Sequence, residues 1–295
     1  MKLCLIVNPN AGRKAGVSVA ARVVTLLSDA GIDTVQLVSD EPGGTRRIAA
    51  GLDVGGWDGI VTVGGDGSLF EVINGLIERN GSIPVPLGQV PVGTGNSFIR
   101  DLGIASPDDA VARIIAGATR RVDLGRFTCD AGTYWFANLL GAGFVSNVAH
   151  RAKRVKGLGS LSYILAVIGE VVRLDSTPIE LEIDGLTIER DAIFVEVCNS
   201  RFTGGSMMMA PGALIDDGLF DVIVAGSMNR RTVLKLLPKI FSGAHVESPD
   251  IEVFTGRSVR LRSAKPLALT PDGETFGSTP IDVSMHPGIV EIYGS

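Results

Sequence analysis

Short apolar segments that end in glycine-rich turns fill the first third of the chain, and they restrict the folds that it can adopt. Three of these segments are Leu3–Val7, Gly59–Val63 and Val90–Val92. The turns that follow them are Asn8–Gly12, Gly64–Ser68 and Gly93–Asn96. Stretches with helical spacing of apolar residues separate the segments. Short buried strands that alternate with helices predict a mainly parallel sheet covered on both faces.

The pattern changes near Asp123. From about Leu124 onward, short strand-like segments follow one another with turn signals between them. Among them are Tyr134–Leu139, Thr187–Ile188, Ile193–Val197 and Ile289–Ile292. Helical stretches interrupt the series at about 158–173 and 229–241. Such spacing is typical of an antiparallel β-sandwich. We therefore predict an α/β domain over 1–123 and a β-sandwich domain over 124–295, and we leave open a return of the last residues to the first domain.

Charge and hydropathy exclude several classes of protein. The chain has 27 Lys and Arg against 32 Asp and Glu, a net charge of −5, which argues against a nucleic-acid partner. The best candidate for a membrane span, Leu161 to Leu174, is too short and contains Glu170 and Arg173. The three cysteines are isolated, which offers no zinc-binding spacing and predicts a cytoplasmic protein.

The glycine turns carry the chemistry of this sequence. In an α/β sheet, ligands bind beyond the carboxyl ends of the strands, where glycine lets backbone N–H groups approach a phosphate. The helix after Gly64–Ser68 adds the positive end of its dipole. Asp66 would repel phosphates unless a cation such as Mg²⁺ lies between them. A tight strand–helix turn is the structural alternative, but three turns at successive strand ends favour phosphate binding.

The standard fingerprints of nucleotide and hydrolase sites do not fit. The chain has no Gly-x-x-x-x-Gly-Lys-Ser/Thr loop, and neither glycine pair, at Gly65 and Gly67 or at Gly93 and Gly95, is completed by a third glycine. It also has no Gly-x-Ser-x-Gly elbow. A P-loop enzyme, a Rossmann dinucleotide site and an α/β-hydrolase are therefore disfavoured.

Five motifs in a fixed order resemble the diacylglycerol kinase catalytic-domain family, which includes bacterial lipid kinases, sphingosine kinases and ceramide kinases. They are Asn8–Gly12, Gly64–Ser68, Gly93–Asn96, Leu214–Leu219 and Asp272–Glu274. The resemblance covers essentially the whole chain. It implies a nucleotide-binding α/β domain followed by a β-sandwich domain, with the active site in the cleft between them. It also implies ATP-dependent, Mg²⁺-dependent phosphorylation of a hydroxyl group of diacylglycerol or a related lipid.

The resemblance assigns roles to individual residues. It implies that Asp66 lies near the phosphates and the catalytic Mg²⁺, and that Glu274 is the general base. The residues it implies as ATP contacts are Asn10, Ser39, Gly65, Asp66, Gly67, Ser68, Leu69, Phe70, Glu71 and Thr94. It implies a second, structural metal site at Leu214, Asp217 and Leu219, with the leucines acting through their carbonyl groups. Taken alone, Asp216–Gly218 and Asp272–Gly273 are typical of hairpin turns.

Two positions depart from the family pattern. Ser68 stands where the family usually has Thr, so a hydroxyl is kept. Ser97 stands where many members have an acidic residue, and Asp101, one helical turn further on, is a candidate substitute. The acceptor lipid is therefore left open.

A basic segment predicts how this protein, although acidic overall, could bind a membrane. No acidic residue occurs from Ala131 to Gly169, and four basic residues cluster within that stretch. They are Arg151, Lys153, Arg154 and Lys156. We predict that residues 151–156 make peripheral contact with anionic headgroups at the inner membrane face. The alternative is that they form a solvated loop and helix face. A homodimer is left open.

Two other functions remain in competition with a lipid kinase. A kinase for a soluble substrate is one, because NAD kinases share the Gly-Gly-Asp-Gly sequence, although Gly93–Asn96 and Asp272–Glu274 favour the lipid branch. A catalytically inactive nucleotide-binding regulator is the other. The presence of Asp66, Asp217 and Glu274 argues against it.

Overall fold

A computed structural model describes residues 1–93, 95–148 and 169–294 of the chain. The chain divides into two units, the first formed by Met1–Leu124 and Pro287–Ser295 and the second by Gly125–His286. Thr94, the basic segment at 151–156 and most of the helix predicted over 158–173 lie outside the described residues.

A parallel sheet forms the centre of the first unit. Its strands are β1 (Lys2–Val7), β2 (Asp33–Val38), β3 (Gly59–Gly64), β4 (Leu87–Pro91) and the end of β16 (Ile281–Tyr293). They lie in the order β2–β1–β3–β4–β16, and Ile292 pairs with Leu87 to add the last strand. Residues 3–7 of β1 are completely buried, as expected for an apolar strand that is covered on both faces.

Helices alternate with the strands of the first unit. They are α1 (Ala11–Lys14), α2 (Gly16–Asp29), α3 (Gly44–Gly51), α4 (Asp66–Asn80), α5 (Phe98–Asp101) and α6 (Pro107–Ala116), with a 3₁₀ turn at Val54–Gly56. Helix α4 begins two residues after Gly64, the last residue of β3, so the Gly64–Ser68 turn is also the start of the helix.

Antiparallel strands form the second unit. They are β5 (Thr119–Cys129), β6 (Gly132–Phe136), β7 (Leu139–Gly143), β8 (Thr177–Ile183), β9 (Leu186–Cys198), β10 (Phe202–Thr203), β11 (Met207–Met208), β12 (Phe220–Gly226), β13 (Ile251–Gly256), β14 (Ser258–Ser263), β15 (Leu269–Pro271) and the start of β16. The main order is β13–β12–β9–β8–β14–β16, and β7 pairs with both β9 and β15. Strands β5 and β16 each pass from one unit into the other.

The helical part of the second unit is small. Helix α7 (Arg230–Leu236) continues into 3₁₀ turns at Leu237–Ser242 and Ala244–Glu247, and residues 144–148 and 169–171 are helical. Within the described ranges, no helix is long and apolar enough to span a bilayer.

The predicted fold class is confirmed, because parallel strands with helices are followed by antiparallel strands. Two predicted strand boundaries were wrong. The strands predicted at Thr187–Ile188 and Ile193–Val197 are parts of the single strand β9, and the strand predicted at Tyr134–Leu139 is divided between β6 and β7.

Candidate functional site

Loops from neighbouring strand ends meet at the carboxyl edge of the parallel sheet in the first unit. Asn8, just after β1, donates from Nδ2 to the Ser68 Oγ of helix α4 at 3.0 Å. A Cβ at Gly12 would lie 2.8 Å from Cγ1 of Val92, which follows β4. The loops after β1, β3 and β4 are therefore packed together, as the three glycine turns predicted.

Asp66 joins the glycine turn after β3 to the one after β4. Its Oδ2 accepts a hydrogen bond from the backbone N–H of Ser97 at 2.7 Å, and its Oδ1 accepts one from Phe98 at 3.3 Å. Burial raises the pKa of Asp66 above its ordinary value, and these N–H donors partly oppose that rise. The side chain of Ser97 also opposes the rise, so a cation at Asp66 would share the carboxylate with these donors.

The start of helix α4 is shaped for an anion. The backbone N–H groups of Ser68 and Leu69 donate to the carbonyl of Gly65, at 3.0 and 3.2 Å. The amides of Asp66 and Gly67 precede these bonds, and the first amides of a helix have no acceptor within it. Such amides, together with the helix dipole, are the usual donors to a bound phosphate.

Three of the predicted ATP contacts lie further along helix α4. The side chains of Leu69 and Phe70 are 2% and 5% exposed and belong to the core, so a contact with a nucleotide would have to come from their backbone. Glu71 is half-buried. The polar side chains on this helix that could make such contacts are those of residues 66, 68 and 71.

The remaining predicted contacts come from other loops. Ser39 follows β2, is 5% exposed, and its N–H donates to the Val7 carbonyl at 3.0 Å. The N–H of Asn10 donates to Oδ1 of Asn8 at 3.0 Å, which keeps Asn10 in the loop that contacts Ser68. The first unit thus brings Asn10 and residues 65–68 to one edge of the sheet.

In the second unit, the turn that carries Glu274 is held by Asp272. The Asp272 carboxylate is 4% exposed and accepts backbone N–H bonds from residues 137, 138 and 139, at 2.9, 2.8 and 3.1 Å. Gly273 has a φ of +83°, and the N–H of Glu274 donates to the Pro271 carbonyl at 2.7 Å. Half-buried Glu274 therefore projects from a fixed turn.

Buried polar side chains next to this turn were missed by sequence reasoning. Asn199 donates from Nδ2 to the Ala137 carbonyl at 2.7 Å, and the Ser200 hydroxyl bonds to Oδ1 of Asn138. These three polar side chains are at most 3% exposed. Asn199 and Ser200 directly follow the buried end of β9. The sequence signal for them is a polar pair immediately after an apolar strand.

The predicted metal residues Leu214, Asp217 and Leu219 lie in the loop before β12. Asp217 Oδ1 accepts the Leu219 N–H at 2.9 Å. A leucine side chain has no donor atom, so Leu214 and Leu219 could bind a metal only through their carbonyl groups. Burial and the charge of Asp217 raise the pKa of Asp221 to about 6. Two carboxylates that repel each other fit a hard cation. Across the described ranges, no three His, Cys, Asp or Glu side chains are grouped for metal binding, so such a cation needs carbonyl ligands too.

The sequence models of two domain families match the chain. The diacylglycerol kinase catalytic domain matches residues 2–127, and the YegS C-terminal NAD kinase beta sandwich-like domain matches residues 138–294. The first match includes the three glycine turns, and the second includes the turn at Glu274.

Full-length relatives agree with the family models. The chain is 31% identical to a diacylglycerol kinase of Mycobacterium tuberculosis (strain H37Rv), over 99% of this chain and 94% of the relative. It is 31% identical to a "Probable lipid kinase YegS-like" protein of Stenotrophomonas maltophilia, over 89% of this chain and 87% of the relative. A solved structure from Bacillus anthracis, named "putative diacylglycerol kinase", is 26% identical with a TM-score of 0.83, over 100% and 97% of the two chains.

Proposed function

Because this chain belongs to the diacylglycerol kinase catalytic-domain family, we propose that it transfers the γ-phosphate of ATP to a hydroxyl group of diacylglycerol or a related lipid. Membership of this family makes the protein a kinase of the lipid-kinase type. The use of ATP is supported most by the edge of the parallel sheet, where Asp66 accepts hydrogen bonds that join the start of helix α4 to the loop after β4.

The proposed nucleotide site uses the start of helix α4. The amides of Asp66 and Gly67 and the hydroxyl of Ser68 would bind phosphate oxygens, because they are donors at the positive end of a helix. Mg²⁺ held by Asp66 would supply neutralisation of the charge on the phosphates. Asn10, Ser39, Glu71 and the backbone of Leu69, Phe70 and Thr94 are proposed to orient the rest of ATP.

Glu274 is proposed as the general base. Its carboxylate would accept the proton of the lipid hydroxyl, and the turn fixed by Asp272 would hold it in place while it does so. Leu214, Asp217 and Leu219 are proposed to hold a second Mg²⁺ with a structural role, through two carbonyl groups and a carboxylate.

Two substitutions test this proposal. We expect Asp66→Asn and Glu274→Gln each to lower kcat at least about a hundredfold, because each removes a charged group from the reaction centre while keeping its shape. The assay follows radioactive phosphate from ATP with Mg²⁺ into short-chain diacylglycerol in neutral detergent micelles. A panel of other lipids and NAD are tested in parallel.

The controls make the same chemical change on exposed positions. Asp29→Asn in the first unit and Glu189→Gln in the second should leave turnover within about twofold, because both carboxylates are exposed. Thermal unfolding of all four variants separates lost chemistry from lost folding. Near-normal turnover of Asp66→Asn or Glu274→Gln contradicts the assignment. Phosphorylation of NAD alone supports a soluble-substrate kinase, and ATP binding without turnover supports an inactive regulator.

A further inference from the structure

Residues 230–241 of the second unit combine a partly buried apolar side with an exposed basic side. Along α7 and the 3₁₀ turn that follows it, the inward side chains line an apolar cavity. They are Val233, Leu236, Leu237 and Ile240. The basic side chains on the outside are all exposed. They are Arg230, Arg231, Lys235 and Lys239.

The segment itself contains no acidic residue to balance its four positive charges. No acidic residue occurs between Asp221 and Glu247 in the sequence. In the part of the chain that the structure describes, none of the four basic side chains forms an ion pair. By contrast, Arg190 pairs with Glu252, and Arg260 pairs with two carboxylates. The segment is therefore a local positive patch on a chain of net charge −5.

Large apolar side chains project beside these charges. Leu234 is 46% exposed and Phe241 is 49% exposed. Val172 is 67% exposed and directly follows Val171, whose carbonyl accepts a hydrogen bond from Arg230 Nε at 3.1 Å. Exposed apolar groups among Lys and Arg are the composition of segments that lie in a membrane interface, where the apolar groups enter the acyl region and the cations meet the headgroups.

We propose that this basic face docks the protein onto an anionic lipid bilayer; it comprises Val172, Arg230, Arg231, Leu234, Lys235, Lys239 and Phe241. The charge of the face is complementary to anionic headgroups, and a bilayer accepts cations and apolar side chains together without a preformed pocket. Binding to the bilayer does not depend on the proposed function. Only its role does, which is to bring the enzyme to the bilayer that contains its lipid acceptor. The basic face does not include the residues of the predicted segment at 151–156, which lies outside the described residues.

Vesicle co-sedimentation tests the basic face. The probes are vesicles of phosphatidylcholine alone and of phosphatidylcholine with about 30% phosphatidylglycerol, at moderate salt. We expect the wild-type protein to bind the anionic vesicles preferentially. The double variant Arg231→Gln, Lys235→Gln should lower the partition coefficient about thirtyfold, because each cation near an anionic surface contributes about a fivefold change. Leu234→Ser with Phe241→Ser should lower it about tenfold.

The matched control is Arg257→Gln with Arg262→Gln. It changes the net charge by the same amount at exposed positions of the same unit, and it should bind within about twofold of wild type. Equal losses in both charge variants, or wild-type binding that ignores phosphatidylglycerol, overturns the proposal. If the protein binds no vesicles at all, the proposal is also overturned, and the alternative partner for this face is an acidic protein.

The kinase assay in neutral micelles separates the two proposals. Vesicle binding without phosphorylation of any lipid contradicts the proposed function but still supports docking through the basic face. Phosphorylation in micelles by a protein that does not bind anionic vesicles contradicts the basic face alone. Where both proposals hold, the ratio of activity on anionic vesicles to activity in neutral micelles should fall about thirtyfold for Arg231→Gln, Lys235→Gln.

Discussion

Gly64 lets helix α4 begin directly over the end of strand β3. A Cβ at this position would lie 2.3 Å from Oγ and 2.5 Å from Cβ of Ser68, and Ser68 is itself 5% exposed and bonded to Asn8. The backbone of Gly64 has an ordinary φ, so close packing rather than backbone conformation requires glycine here. The start of helix α4 can therefore approach the end of β3 this closely only because residue 64 has no Cβ.

We predict that Gly64→Ala lowers the free energy of unfolding by about 1–3 kcal/mol, because Ser68 or the start of α4 must shift to make room. The same shift should weaken binding of an ATP analogue. Urea unfolding and nucleotide titration measure the two effects. Gly51→Ala is the matched control: Gly51 ends helix α3, and nothing lies within 4 Å of its added Cβ. Equal destabilisation by the two substitutions contradicts this explanation.

The glycine turns could be predicted because each is a local pattern at the end of an apolar segment. The partners of the acidic residues could not be predicted, because they are distant in sequence. Asp66 accepts a bond from a residue 31 positions away, and Asp272 accepts one from a residue 135 positions away. Both partners are backbone N–H groups, which every residue except proline has, so residue type gives no signal.

Strand β9 shows where strand prediction from sequence fails. Its centre contains Glu189, Arg190 and Asp191, a charged triplet that is typical of a turn. In the structure these residues are exposed and the strand continues through them. Arg190 pairs with Glu252, and residues 186–192 pair with β8. Cross-strand neighbours therefore stabilise a strand that its own sequence does not favour.

The second half of β9 buries an acidic side chain, Glu196. It is 2% exposed, and its Oε2 has no hydrogen-bond partner in the described part of the chain. Gly141 lies directly opposite it on β7 and leaves room for the carboxyl group. Burial raises the pKa of Glu196 to about 8, so the group is mainly protonated in the native state at neutral pH.

We predict that Glu196 makes stability fall as the pH rises. The unfolded chain loses this proton near a pKa of about 4.3 and the native state only near its raised value, so the contribution is complete below the first pKa and is lost through the second. Glu196→Gln should flatten the dependence and raise the free energy of unfolding by on the order of 5 kcal/mol at about pH 8.5.

Urea unfolding at about pH 5.5 and about pH 8.5 measures this dependence. Glu189→Gln, on an exposed position of the same strand, is the control and should keep the wild-type slope. The same slope in wild type and in Glu196→Gln would show that the carboxyl group is already ionised in the native protein.

At the scale of the whole molecule, the chain returns to its first unit at its end. Val290 and Ile292 are each 1% exposed and Tyr293 is 4% exposed, and the N–H of Gly288 donates to Oδ1 of Asp123 at 2.6 Å. The sequence predicted a strand over Ile289–Ile292, but β16 begins eight residues earlier, at Ile281. The pattern is hidden there because Pro287 and Gly288 interrupt it, and proline and glycine are unusual inside strands.

Ile292 tests how much the first unit depends on this returning strand. It pairs with Leu87 of β4, and the loop that follows β4 donates to Asp66. We predict that Ile292→Ala lowers the free energy of unfolding by about 2–5 kcal/mol, the range for a buried isoleucine. Ile115→Ala on α6 is the matched control, and it should cost less than about 1 kcal/mol because Ile115 is 43% exposed.

Hydrogen exchange shows where the Ile292→Ala effect is located. The amides of β4 should lose protection in Ile292→Ala, because their neighbouring strand is weakened, and affinity for an ATP analogue should fall with them since β4 leads into the loop that contacts Asp66. The Ile115→Ala control should leave both unchanged. If Ile292→Ala keeps full protection of β4 and full nucleotide affinity while losing stability, the returning strand contributes only buried area. If it loses affinity together with β4 protection, residues at the end of the chain help to shape a site formed by its first hundred residues.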